Sequence, residues 1–225
     1  MREKFWSPRP EVLAYVSGLI RPGARVLEIG PGTIPFAKAT HFVDRFKRSP
    51  SCDVVDVCRE PLPYADKSFD FIYCRHVVED LYNPFLLLRE MSRVGKAGYI
   101  ETPSPICELS RNVDGGAPVW RGYHHHRYIV WVSGDVLGLV EKSPLVEHLT
   151  LPDHTKELEE HAFLRNTYFL WKNEIRFRHF EHDLHFQLYA DYGPFLLAAM
   201  KAARQSIAAF ERTVMLSASA GEARR

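Results

Sequence analysis

One stretch constrains this chain more than any other: Arg25-Val26-Leu27-Glu28-Ile29-Gly30-Pro31-Gly32-Thr33-Ile34-Pro35-Phe36. Val26, Leu27 and Ile29 make the short apolar run that a fully buried parallel strand needs. The run breaks into two glycines, which let a backbone approach a ligand closely because no Cβ intervenes. Ligands of open α/β sheets bind at such carboxyl ends. Gly-x-Gly by itself fits a ligand-free turn equally well. The dinucleotide fingerprint asks for a third small residue, and Pro35 stands there instead, against a nicotinamide or flavin enzyme. Glu28 is an acid at the tip of an apolar strand and needs a partner; a cationic or amine-bearing ligand supplies one.

The following segments repeat the pattern. His41-Phe42-Val43-Asp44 reads as a second short strand ending in an acid, suited to the hydroxyls of a ribose. Cys52 to Val57 reads as a third strand and Ser68 to Cys74 as a fourth. A helix begins at Asn83-Pro84 and ends at Val94-Gly95, with Asn83 as cap and Pro84 at the first position. Gly98-Tyr99-Ile100-Glu101 is a fifth strand.

This ordered set, roughly residues 22 to 105, resembles the class I S-adenosylmethionine-dependent methyltransferases, in the methyltransferase type 11-like, small-molecule branch. The resemblance rests on LEIGPG, then VD, then DVVDVCREPLPYADKSFDFIYCRHVVEDL, then REMSRVGKAGYIETPSP. It implies S-adenosylmethionine as cofactor, with Gly30 and Gly32 beside its methionine part and Glu28 near its amino group. Asp44 would hold the ribose hydroxyls, Asp56 and the backbone of Val57 would meet the adenine, and Cys74 would neighbour the cofactor. His76 would lie beside the methyl-transfer centre. Ile34 stands where the family often has a third glycine, and Asp80 where many members have histidine.

Composition bounds the rest. A chain of 225 residues, 46% hydrophobic and 25% charged, has ordinary globular values. The expectation is one domain: a cofactor-binding core over 22–105, a hairpin insertion over 106–150, and C-terminal strands and helix over 151–216. A formal net charge of +1 gives no field to attract nucleic acid or a membrane surface. The four cysteines form no Cys-x-x-Cys pair and read as buried thiols. With no leader pattern and no apolar run of spanning length, the expectation is a cytoplasmic protein without a membrane segment.

Other segments carry local readings. Ser7 caps a helix bearing Val12, Val16 and Leu19, with Leu13 and Ile20 broadening the stripe. Between Gly32 and Asp44 there is too little chain for a full crossover helix, which leaves about a turn that Pro35 would start. Tyr123 to Val132 and Val136 to Lys142 flank Ser133-Gly134-Asp135 as a β-hairpin. As a strand, His124-His125-His126-Arg127 would put His124 and His126 on one face. At most two of these histidines would then share a metal without help from elsewhere, so no metal is assigned. Thr167 to Trp171 and Glu174 to His185 read as the last antiparallel pair of the sheet, with His179, Glu181, Asp183 and His185 on a solvated face. From Pro194 onward, Leu196, Met200, Ala203, Ile207, Phe210 and Val214 mark one amphipathic helix that packs on its own sheet or forms a homodimer.

The fold expected is a doubly wound, mostly parallel α/β sheet with an antiparallel last pair and a hairpin insertion. The function expected is S-adenosylmethionine-dependent methyl transfer to an oxygen or nitrogen of a small molecule. The hairpin would be a lid, with His126 the first candidate for general base, then His124, then His76. The alternatives are a protein of this fold that binds the cofactor without methylating, and a metal-dependent enzyme built on the histidine cluster.

Overall fold

The computed structural model describes residues 7–115, 118–181 and 188–222. Five short strands run parallel: β1 (Val26–Ile29), β2 (His41–Asp44), β3 (Cys52–Val54), β4 (Phe71–Arg75) and β5 (Ala97–Pro103). The sheet is closed on one side by β8 (Asn166–Lys172), which runs antiparallel to β5, and its order is β3-β2-β1-β4-β5-β8. Ligands bind in such sheets outside the carboxyl ends of the strands, where the strand order reverses. Here that point lies between β1 and β4, which pair in register Glu28 with Tyr73 and Ile29 with Cys74.

Alternation sends the central strands to two apolar layers. Val26, Phe71, Tyr73 and Tyr99 pack with α1 (Pro10–Gly18) and α5 (Gly193–Glu222). Leu27, Ile29, Ile72, Cys74 and Ile100 face α2 (Pro84–Val94). Helices therefore cover both faces, and the doubly wound reading holds. The chain between β1 and β2 makes turns only, so the first crossover has no helix at all. In α1 the stripe is carried by Val12, Val16 and Ile20, while Leu19 faces out; Arg9 rather than Ser7 occupies the cap. In α5, Leu196, Met200, Ala203, Ile207 and Val214 are buried in the chain's own core. The stripe that offered a dimer face is spent internally.

Two expectations are corrected. The hairpin exists, as β6 (Tyr128–Ser133) and β7 (Val136–Glu141), but β6 starts at Tyr128 and the histidine run forms a turn ahead of it. Strand alternation therefore does not apply to His124–His126. The segment after β8 does not extend the main sheet either. Its strand β9 (Phe177–Phe180) runs parallel to β7, making a separate sheet β6-β7-β9. His179 is packed 4.4 Å from the ring of Phe85 rather than standing on a solvated edge. Asp183 and His185 lie outside the described residues. No helix among the described residues is long and apolar enough to cross a membrane.

Candidate active site

At the end of β1 the backbone turns sharply. Gly30 has φ +68°, and its N–H donates to the Val43 carbonyl at 2.8 Å, tying the turn to β2. A Cβ there would lie 2.5 Å from Cγ2 of Val77, so glycine is required for the turn to sit against the segment that follows β4. Gly32, at φ +55°, faces open space. Glu28 is 4% exposed, and its carboxylate accepts one hydrogen bond, from the Phe36 N–H at 2.8 Å. Burial outweighs that bond and pushes the carboxyl up to about 7. An acid so placed is an unmet site for a cation.

The other acids expected around a nucleotide stand on the same edge. Asp44 ends β2, and its two oxygens accept from the Phe46 N–H at 2.9 Å and from Arg48 Nε at 3.0 Å. Asp56 follows β3, accepts from the Cys58 N–H at 3.1 Å and precedes the half-buried Val57. Cys74 is different. Its side chain is fully buried in the layer under α2, and burial holds its thiol well above the ordinary value. Its sulfur is covered in this structure, so only its backbone, at the end of β4, stands at the edge where the cofactor is expected.

Beyond β4 the chain crosses the glycine turn. His76 adopts φ +53°, an unusual conformation for a side chain with a Cβ. Its N–H donates to the Glu101 carbonyl at 2.8 Å, which fastens it to β5. Its ring lies 3.6 Å from Glu79 and 4.0 Å from Glu101, and Nε2 has no hydrogen-bond partner among the described residues. Burial, then the charges of Arg75 and His126, hold the ring well below its ordinary value, so it is neutral at neutral pH. Glu79 is 1% exposed, with both carboxyl oxygens unpartnered. Burial raises it to about 8 against the opposing charge of His126, which keeps it protonated at neutral pH. Glu101 by contrast is fully engaged, accepting from Arg75 Nε at 3.0 Å, Asn166 Nδ2 at 2.8 Å and the Tyr99 hydroxyl at 2.5 Å.

A second buried cluster joins the first from the insertion. His126 donates Nδ1 to Glu108 Oε1 at 2.6 Å, and Glu108 Oε2 accepts from Lys142 Nζ at 2.6 Å. Burial would lower the His126 ring, but the charge and hydrogen bond of Glu108, with the charge of Asp80 beside it, outweigh burial and carry it up to about 9. Burial likewise would raise Glu108, yet Lys142 and His126 hold it at about 2. A ring kept protonated by a carboxylate has no lone pair to offer, so His126 is not a base at rest. That reverses the order expected of the histidines. His124 is exposed and paired with Asp114 at 2.7 Å, and Arg127 lies over the Tyr82 ring at 3.3 Å. Of the three candidate bases, His76 neighbours Val77, whose side chain rests on Gly30, and its buried Nε2 has no hydrogen-bond partner among the described residues.

Glu79, Glu108 and Lys142 escaped the sequence reading. Glu79 sits within the quoted HVVEDL run, where an acid that follows two valines was a signal of burial. Glu108 and Lys142 carry no local signal, because they meet only after the hairpin returns.

With this geometry in view, residues 14–100 match the family described as a methyltransferase domain. The core of this chain is similar to a methyltransferase domain. No curated protein matches the chain. Among solved structures it is similar to an S-adenosylmethionine-dependent methyltransferase from Mesorhizobium loti, at 15% identity over 43% of this chain and 56% of that one, with TM-score 0.33. An S-adenosylmethionine-dependent methyltransferase from Thermotoga maritima is 24% identical over 47% and 57%, with TM-score 0.34. The [4+2]-cyclase SpnF is 21% identical over 42% and 45%, with TM-score 0.34. The aligned region spans about half the length of these proteins.

S-adenosylmethionine is the cofactor that the sequence resemblance implies, and the residues fit it. The buried Glu28 without a counter-charge suits an ammonium group, and the glycine turn leaves open space at Gly32. Asp44 suits a ribose, since a carboxylate with two donors in place still has lone pairs for two more. Asp44→Ala is expected to weaken S-adenosylhomocysteine binding by roughly 10–150-fold, the value of hydrogen bonds to a charged acceptor, about 1.5–3 kcal/mol. Calorimetry on the folded variant checks this; unchanged affinity would remove Asp44 from the site.

Proposed function

We propose that this chain transfers a methyl group from S-adenosylmethionine to an oxygen or nitrogen of a small molecule, and that His76 takes the acceptor's proton. The observation that carries the reading is the free Nε2 of a neutral, buried histidine one residue from Val77, the side chain that rests on Gly30. When bound, S-adenosylmethionine supplies a methyl on a sulfonium whose leaving group is a neutral thioether. The protein's own work is then to position the acceptor, exclude water and receive a proton. Glu28, Gly30, Gly32, Asp44, Asp56 and Val57 bind and orient the cofactor in this reading. Glu79 and the Glu108–His126 pair wall the acceptor side with polar groups whose charges are balanced internally.

A small acceptor is supported by the formal net charge of +1, which offers nothing to a polyanion. A cytoplasmic location is supported by four free cysteines, three of them buried. The test is calorimetric titration with S-adenosylmethionine, followed by S-adenosylhomocysteine release over a panel of small phenols, alcohols and amines. Release above the protein-free rate with one acceptor class is expected. Absence of cofactor binding overturns the reading, and binding without release across the panel leaves a protein that holds the cofactor without methylating.

Glu28 makes the binding step pH-dependent. A ligand ammonium beside it favours the ionised acid, so binding expels the proton that the acid carries below about 7. S-adenosylhomocysteine affinity should therefore rise up to tenfold per unit from pH 5.5 toward 7, with proton release seen as a dependence of the binding heat on buffer ionisation. A flat affinity over that window would detach Glu28 from the ligand. In the free protein the sign on stability is opposite. The folded value lies above the unfolded one, so the acid's contribution is full below about 4.5 and is lost as pH rises through about 7.

A further inference from the structure

We propose that Asp80, His125 and His126 form a binding site for a divalent first-row transition cation with an open coordination position. His125 Nε2 lies 3.7 Å and His126 Nε2 3.6 Å from the same oxygen, Asp80 Oδ1. All three donor atoms fall within 4.8 Å of one another. A tetrahedral cation with bonds of about 2.0–2.1 Å holds its ligand atoms roughly 3.3 Å apart, so the two contacts to Asp80 need shorten only by a few tenths of an ångström, while the two ring nitrogens, within 4.8 Å of one another, close by side-chain rotation. Two imidazoles and one carboxylate are borderline donors, the set that such cations prefer over magnesium or calcium.

The surroundings are built to hold the set in place. Glu108, itself fully buried and anchored by Lys142, fixes His126 through Nδ1 and turns Nε2 toward Asp80. A carboxylate behind a histidine is the usual outer partner of a metal ligand, setting ring orientation and basicity. The two segments are also joined by backbone, since the Arg127 N–H donates to the Glu79 carbonyl at 2.7 Å. That bond keeps the histidine turn beside Asp80 before any cation arrives. Binding would displace the proton that His126 carries on Nε2 to solvent. The strand geometry expected for the histidines forbade three convergent ligands; the turn lets adjacent residues converge, and Asp80 supplies the help from elsewhere. A neighbouring group, Asp114, His124 and His125, shares His125 but is exposed at both histidines.

Cation binding does not depend on the methyl-transfer reading, and its test needs neither cofactor nor acceptor. Untagged protein, stripped with a chelator, would be titrated with Zn²⁺ against a chromophoric competitor, and with Co²⁺ followed by its visible absorption. One equivalent is expected. Asp80→Asn and His125→Ala should each weaken Zn²⁺ binding by more than the roughly 10–100-fold that loss of an outer partner costs. His125 is half exposed, so its variant tests the site without unfolding the protein. His124→Ala should bind as the parent does. Absence of a stoichiometric site overturns the proposal, and so does loss on His124→Ala with Asp80→Asn unaffected, which would place the ion at the neighbouring group.

Discussion

Replacing Glu108 by alanine is expected to cost the fold about 3–5 kcal/mol, the penalty for removing one partner from a buried ion pair. Glu108 is 0% exposed and stands between two cations, protonated His126 and Lys142, at 2.6 Å from each. Without it Lys142 would face the interior with no carboxylate beside it, and His126 would keep only Asp80, 3.6 Å from its Nε2. Among the described residues Lys142 has no other carboxylate at bonding distance; its remaining partners are the carbonyls of Arg121 and Tyr123 at 2.8 and 2.9 Å. The surrounding backbone cannot relax into the space easily. Gly122 has φ +57°, and a Cβ there would lie 2.6 Å from Glu108 Cα, so the loop is already at closest approach. Glu108→Gln keeps the volume and an acceptor oxygen and should cost less than half as much. Urea denaturation in the presence of a chelator checks both values. If the alanine variant loses under 1 kcal/mol, this cluster is not what ties the insertion to the core.

The ends of β1 and β2 were legible in the sequence to the residue, because apolar strands that stop at glycine or an acid mark their own termini. The α2 helix was equally plain, since Pro84 cannot follow another helical turn and Gly95 ends one. That the first crossover is cut short followed from chain length alone, although the single helical turn expected at Pro35 does not form. What failed was everything that depends on a partner far along the chain. His124 to Arg127 alternate well enough to pass as the start of β6, but the Arg127 N–H is taken by Glu79, 48 residues earlier in the numbering, and the run bends there. The strand after β8 was recognised as a strand, yet its partner is β7 and not β8. Apolar pattern specifies that a segment pairs; the pairing edge is decided by which edges remain open. The site divides in the same way. Glu28, Gly30, Asp44 and His76 lie at strand ends and could be named, whereas Glu108 and Lys142 acquire their roles only through folding.

Changing His76 to asparagine is expected to lower methyl-transfer turnover by roughly 10²–10⁴-fold, the usual contribution of a positioned general base. Asparagine is the substitution of choice because φ at this position is +53°, and asparagine tolerates the left-handed region better than other side chains with a Cβ. The backbone bond to Glu101 survives, since it uses the N–H of residue 76. Cofactor affinity and thermal stability should therefore stay near the parent's while turnover falls. The pH profile adds an independent mark. A base held well below its ordinary value stays unprotonated under mild acid, so the parent's turnover should show no half-point at 6.5 and should decline only below it. His126→Ala provides the contrast, because a ring already carrying two protons cannot serve as the resting acceptor. If His76→Asn turns over like the parent with the acceptor that supports release, the proton leaves by another route and His76 is a strained wall of the pocket. A loss of cofactor binding equal to the loss of turnover would instead place the ring in cofactor recognition.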